Sequence, residues 1–411
     1  MNDEYTTHQT WAVTDDMGFL LTAYDGIDAF QAYAEAQRQF ADRGMVVLDT
    51  VYEMQSPADA QAPLAANVRR LEVMPGKALR AASLPKLSDD DVFAYSYEEA
   101  HELIRPYLPD KPTWQRPEYA LENFLRTNAK MQKSPPGPGP RYVSKGLSLA
   151  PNAMAFQRMG EEKRPSRRLP QGGQTRTFCV GSNEFCRATC LVYSGRQTMK
   201  RKGESEAYPL TLKVAFSEAL VREPAAFTRV LVESIRVFTD EATRCREVPM
   251  VRLNVLSDLP WELIYPLMFE HFSDVQFYDY TKVFGRSVAE NYDLTFSFSG
   301  TNYRQCDREL ERGLRVATVF FVERGMALPK TWRGVEVVDG DDLDLRPLNP
   351  PGVIVGLTFK TPNTDLLAVR GKAAKAQAAG VFVVPCWIED GQVVAAETPR
   401  QTDAFWFDYV D

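Results

Sequence analysis

Val316-Ala-Thr-Val-Phe-Phe-Val322 and Gly352-Val-Ile-Val-Gly-Leu-Thr-Phe359 are almost unbroken apolar runs, each about the length of one strand. A half-solvated strand alternates apolar and polar residues, whereas a strand covered on both faces does not need to. Both runs therefore predict interior strands of a largely parallel sheet with cover on each side. Working outward, Met250-Val-Arg-Leu-Asn-Val-Leu256, Val275-Gln-Phe-Tyr-Asp-Tyr280, Asp293-Leu-Thr-Phe-Ser-Phe-Ser299 and Val381-Phe-Val-Val-Pro-Cys386 read as further strands of the series. Helices are expected over Tyr208–Ala219, Ala225–Glu241 and Pro260–Glu270. Strands recurring with helices between them predict an α/β fold, a (β/α) barrel or partial barrel. A doubly wound sheet is the alternative, but no Gly-x-Gly-x-x-Gly follows an early strand, so a dinucleotide site has no support.

Lys133-Ser-Pro-Pro-Gly-Pro-Gly-Pro-Arg141 is the clearest break in the pattern, because proline and glycine deny both helix and ladder. It divides a small N-terminal α+β domain with a helical extension (1–132) from a barrel-like core (142–411), with 133–141 as linker. In the first part Thr10–Val13, Gly18–Ala23 and Met45–Leu48 read as strands. Ile27–Arg43, Ser96–Leu108 and Pro117–Met131 read as helices.

Three of the six cysteines fall close together, in Cys179-Val-Gly-Ser-Asn-Glu-Phe-Cys186-Arg-Ala-Thr-Cys190. Thiolates are soft ligands that select zinc, cuprous copper or iron–sulfur clusters. Only three histidines, His8, His101 and His271, are present to supplement them. Two centres fit the donor set. One is a four-iron cluster with an open iron, and the other is zinc completed by a distant residue such as Cys245, Cys306 or Cys386. Reduced cysteines without chemistry are the bland alternative.

The chain has a formal net charge of -7, yet 158–202 holds eleven Lys or Arg against three Glu. Arg158, Lys163, Arg164, Arg167, Arg168, Arg176, Arg187, Arg196, Lys200, Arg201 and Lys202 bracket the cysteines. A local positive field on an acidic protein can attract phosphates, so a nucleic acid or nucleotide is the expected partner. The polar start Met1-Asn-Asp-Glu-Tyr5 is unlike a secretory leader, and no apolar run is long enough to span a bilayer. The expected location is the cytoplasm, with no membrane partner.

In a barrel, reacting groups project from the carboxyl ends of strands. Asp258 and Lys282 are the candidate catalytic residues on this reading. Tyr280, Ser299, Asn302 and Asp341, with Arg187 and Arg196 from the basic segment, are candidate substrate-binding residues, and Lys360 ends the last long run. Each has an ordinary alternative: Ser-Gly-Thr-Asn suits a turn, Asp339-Gly-Asp-Asp342 an acidic turn, and Asp258 a helix cap.

At these residues the chain resembles the gene product 88-like phage proteins. The resemblance runs through Cys179-Val-Gly181, Cys186, Cys190 and Tyr193, then Leu256-Ser-Asp258, Tyr280-Thr-Lys282 and Phe298-Ser-Gly-Thr-Asn302. It continues through Lys330-Thr-Trp-Arg-Gly334, Asp339-Gly-Asp341 and Gly352–Leu357, covering roughly 145–385. The Ser-Asp and Thr-Lys elements are also similar to a radical-SAM-like phage family. That second resemblance implies a 4Fe-4S cluster on Cys179, Cys186 and Cys190, with S-adenosylmethionine on the open iron. The expected function is an iron–sulfur enzyme of host cytoplasm that modifies a nucleic acid or nucleotide. Two rivals are a transglycosylase-like barrel that exchanges a base, with structural zinc and Asp258 as nucleophile or acid, and a noncatalytic zinc-stapled nucleic-acid-binding protein.

Overall fold

The computed structural model describes residues 10–14, 20–25, 51–54, 78–79, 82–128, 130–151, 154, 156, 176–182, 186, 190–193, 207–300, 302–322, 326–359 and 383–397. The expected helix at 27–43, the expected strand at 45–48, Arg187, Arg196, Lys360 and most of the basic segment lie outside them. Strands β1 (Thr10–Thr14), β2 (Leu20–Asp25) and β3 (Val51–Met54) form a three-stranded antiparallel sheet in the order β2-β1-β3.

The helices α1 (Asp89–Val92), α2 (Tyr97–Ile104), α3 (Pro112–Gln115) and α4 (Pro117–Phe124) come next. Ser96 starts α2 with a capping box: its hydroxyl accepts from the Glu99 N–H while the Glu99 carboxylate accepts from its own N–H. Helix α4 stops at Phe124, short of the expected Met131. Its next turn does not form because Arg126 pairs with Gly146, N–H to C=O in both directions at 2.9 and 2.7 Å. Asn128 then accepts from the Lys130 and Met131 N–H groups and turns the chain.

The main sheet opens with β4 (Arg141–Gly146), unread in the sequence because its alternating, charged composition suits an edge. Helices α5 (Tyr208–Arg222) and α6 (Pro224–Arg244) cross to β5 (Glu247–Arg252). Phe227, Val230, Leu231, Ser234, Ile235 and Phe238 recur at three- and four-residue spacing on α6, and all are buried. The five apolar ones share one core with Ala100, Ile104, Trp114, Phe124, Val251 and Phe277. Helices on the N-terminal side of the Pro/Gly stretch thus pack into the same core as the sheet.

The expected helix 260–270 is two pieces, α7 (Trp261–Ile264) and α8 (Leu267–His271), broken where Pro266 forbids Tyr265 the helical conformation (ψ 81°). The sheet continues with β6 (Gln276–Thr281), β7 (Tyr292–Ser297), helix α9 (Tyr303–Glu311), β8 (Arg315–Phe321), β9 (Thr331–Trp332), β10 (Val335–Asp339), β11 (Ile354–Thr358), β12 (Val383–Glu389) and β13 (Gln392–Ala395).

The order across this ten-stranded sheet is β4-β5-β6-β7-β8-β11-β10-β9. Neighbours are parallel except at β9–β10 and β12–β13. One edge of β8 serves two partners, β7 through Arg315–Ala317 and β12 through Val319–Phe321. The fold is mixed α/β with a largely parallel central sheet. The barrel expectation is corrected to an open sheet, since among the described residues β4 and β9 end the path without meeting. In a barrel each strand is laid beside its predecessor; here the chain leaves β8, builds the β9–β10 hairpin at the far edge and returns inward to β11, reversing the order.

Candidate functional site

Because β4 to β8, β10 and β11 run in parallel, their carboxyl ends share one edge of the sheet, where open α/β folds place their sites. The loop after β5 shapes this edge. Asn254 donates its N–H to Asp279 at 2.7 Å and its amide to Asp279 and to the Leu259 C=O at 3.1 and 3.0 Å. Its carbonyl oxygen accepts from Ser257 and the Leu259 N–H at 2.8 Å. The wound loop replaces the last part of the strand expected through Leu256 and delivers Asp258 to the end of β6.

Asp258 is nearly enclosed, and both carboxylate oxygens are engaged. One accepts from the Thr281 hydroxyl, the other from the Lys282 N–H, each at 2.8 Å. Arg286 stands 3.5 Å away, itself held by both oxygens of Glu262 at 2.9 and 2.6 Å. Burial pushes the Asp258 carboxyl above the usual carboxylate range, with the Arg286 guanidinium pulling back. The helix-cap alternative fails, since α7 has Pro260 at its N-cap and no side-chain cap.

The cysteine loop lies on this same edge. Phe178 accepts from the Asp258 N–H at 2.8 Å, and the Cys179 sulfur is 3.5 Å from the Leu256 carbonyl oxygen. Gly181 rests against Lys282 so closely that a Cβ there would come within 2.6 Å of the lysine Cβ. Burial raises the Cys190 thiol's pKa; neighbouring Cys186 adds to the rise and the Lys282 ammonium opposes it. A nearby ammonium favours thiolate, the form a metal needs. All six cysteines are thiols rather than disulfides. Among the described residues no three His, Cys, Asp or Glu side chains come together as a metal-binding group, so the three thiols share a rim without meeting at one centre. Their donor type suits a soft metal, while their placement does not form a closed site. Of the distant candidates, Cys306 and Cys386 pack in the apolar cluster around Trp332, where burial drives their thiol pKa values far up, and Cys245 is exposed just beyond α6.

The other predicted residues divide by role. Asn302 precedes α9 and spends its amide on its own loop, accepting from the Ser299 N–H at 2.7 Å and donating to the Ser297 C=O at 3.2 Å. Asp341 pairs with Lys130 at 2.7 Å and accepts from the Thr358 N–H at 2.8 Å. Tyr280 is half-buried, its ring 4.8 Å from the Arg252 guanidinium, and burial lifts its hydroxyl to about 12.

Sequence reading missed the ionic layer beneath. Arg252 pairs with Asp344 at 2.9 Å and lies 3.8 Å from Asp279. Asp279, pushed up to about 6 by burial, also accepts from Tyr292 at 2.8 Å. Asn254 joins this layer through Asp279, and Arg286, held by Glu262, joins it through the Tyr292 hydroxyl at 3.3 Å. The signal that could have found it was polar residues placed inside or just after strands, as in Tyr278-Asp279-Tyr280.

A family profile described as Gene product 88 matches residues 123–380. That match supports the first of the two resemblances; the radical-SAM-like one gains no support. Neither the curated proteins nor the solved structures give a match. Among the described residues no helix is long and apolar enough to cross a membrane. The match spans well over half of the chain and takes in β4 to β11 with the whole thiol rim, and the chain belongs to the Gene product 88 family.

Proposed function

We propose that this chain is a phage-type metalloprotein in which Cys179, Cys186 and Cys190, which share the rim without meeting, draw together on an iron–sulfur centre, a 4Fe-4S cluster in preference to zinc. In this reading it is an enzyme that modifies a nucleic acid or nucleotide at the carboxyl edge of the sheet. The observation that carries the reading is the seat of the cysteine loop: Gly181 is packed on Lys282, and Phe178 is bonded to Asp258. A purely structural zinc has no need of such a place, whereas a reactive centre must lie within reach of its substrate. When bound, the centre would supply electrons or a Lewis-acidic iron.

The protein's own groups would do the rest. Lys282 brings a positive charge to the thiols and to an incoming phosphate. Tyr280 offers a ring for a base to stack on. Asp258 acts as a positioning residue, because its two oxygens hold the Thr281 hydroxyl and the Lys282 N–H in place at the end of β6. That arrangement weighs against the base-exchange alternative, which needs Asp258 as nucleophile or acid.

Protein purified without oxygen should be brown, with broad visible absorbance, and contain both iron and sulfide. Near-stoichiometric zinc instead would transfer the reading to the zinc-stapled binder. Colourless protein with neither metal would end it.

A further inference from the structure

Sheet alternation puts Arg252 and Tyr278 side by side on one face, with Tyr280 next along β6. This face lies opposite the one on which Val251 and Phe277 meet the α6 core. The polar face is covered by the segment after β10, where Leu345 packs on Met250 and Tyr278. The same segment delivers Arg346, whose side chain is fully buried.

Arg346 donates from one nitrogen to the Gly340 C=O at 3.3 Å, and its Nε and Nη1 have no acceptor. The Nε of Arg252 has no acceptor within hydrogen-bond reach and faces the Asp279 carboxylate at 3.8 Å. The two guanidiniums act electrostatically on the same phenol, that of Tyr280. Their charges differ in one respect. Arg252 is neutralised by Asp344 and Asp279, but among the described residues no carboxylate pairs with Arg346. A buried guanidinium with unmet donors and no counter-charge is costly, which is why such groups are nearly always paired. Gly340 tightens the case, since a Cβ there would lie 2.9 Å from Arg346 Nη1 and 2.5 Å from Val355. The turn can approach the guanidinium only as glycine.

We infer that Arg346, Arg252 and Tyr280 form an oxyanion site beneath the carboxyl edge that takes a phosphate group. The unmet Nε and Nη1 donors of Arg346, with the Tyr280 phenol beside them, match the acceptor oxygens of phosphate, and arginine is the residue best shaped for it. Tyr280, half-buried at the strand end, marks the side from which the site is reached. The inference stands apart from the thiols and holds whether or not they bind metal.

The test is titration of the full chain with inorganic phosphate and with adenosine 5′-monophosphate, against sodium chloride at matched ionic strength. Thermal stabilisation and phosphorus NMR line-broadening are the readouts. Saturable binding that chloride does not reproduce is expected. Arg346→Lys, which keeps the charge but loses the fork, and Tyr280→Phe should each weaken it, the former at least about tenfold. Tighter binding of the nucleotide identifies a nucleotide-borne phosphate, and tighter binding of the inorganic ion a free one. Equal shifts with chloride, or folded variants that bind as the parent does, overturn the site and leave those nitrogens to interior water.

Discussion

Asp258 sits at the end of β6 and ties two loops to the edge there. Its N–H ties down the cysteine loop, and its carboxylate ties down the end of β6. Asp258→Asn keeps the shape but turns an amide donor toward a hydroxyl or N–H donor. The expected cost is about 1–3 kcal/mol in urea unfolding, the range for an unmet buried hydrogen bond. Alkylation of Cys179, Cys186 and Cys190 should also accelerate as the loop loosens; an unchanged rate would show that Asp258 does not hold it. Asp279 gives a pH signature. Its folded pKa, about 6, lies above the ordinary carboxylate value, so the folded state binds its proton more tightly than the unfolded chain does. The group's contribution is therefore most favourable below about pH 4 and declines as pH rises through about 6, by roughly 3 kcal/mol at most. The stability gap between the parent and Asp279→Asn should shift against the parent over that window. A gap that stays flat, or moves in the parent's favour as pH rises, refutes the assignment.

At the scale of elements, the cysteine loop and the strands differ in how much the sequence discloses. The runs 316–322 and 352–359 were legible because cover on both faces removes alternation, and they are β8 and β11. β4 was not legible, since an edge strand reading Arg-Tyr-Val-Ser-Lys-Gly resembles a solvated loop. The thiols, Asp258 and Lys282 could each be picked out from residue type and place, but not the hydrogen bond or the glycine that joins them, because both depend on tertiary approach. Gly181 makes that approach testable. Gly181→Val would force its side chain into Lys282 and lift the loop from the sheet. Iron or zinc content should fall severalfold in the purified variant while circular dichroism stays that of the parent. Full metal content would separate the loop's seat from its chemistry. Trp332 does similar work at the far edge, packed against Phe298 and Phe320 and donating to the Ala396 C=O at 2.9 Å. Trp332→Phe should cost about 1–3 kcal/mol, read by urea denaturation, from the missing bond and the space left behind.

At the scale of the whole molecule, local pattern announces strands but not their order. The return from the β9–β10 hairpin to β11 leaves no periodic trace, which is why a barrel and an open sheet look alike in sequence. Charge distribution is a whole-molecule property that sequence does disclose. A chain of net charge -7 repels polyanions at long range, yet 158–202 concentrates eleven Lys or Arg on either side of the cysteines in sequence. On the proposed function, acidic residues elsewhere would limit indiscriminate binding while the basic stretch would draw a phosphate backbone toward the cysteines that it brackets in sequence. Binding to single-stranded DNA or RNA should then weaken steeply with salt, because each neutralised phosphate releases counterions. Replacing Lys200, Arg201 and Lys202 together by glutamine should lower the slope of log affinity against log salt by about 0.7 for each phosphate no longer neutralised, about 2 in all. The same triple variant should keep its metal, since none of the three is a thiol. A slope that survives the replacement, or no binding at low salt, would make the basic stretch a solvated surface and remove nucleic acid from the proposed substrates, leaving a free nucleotide.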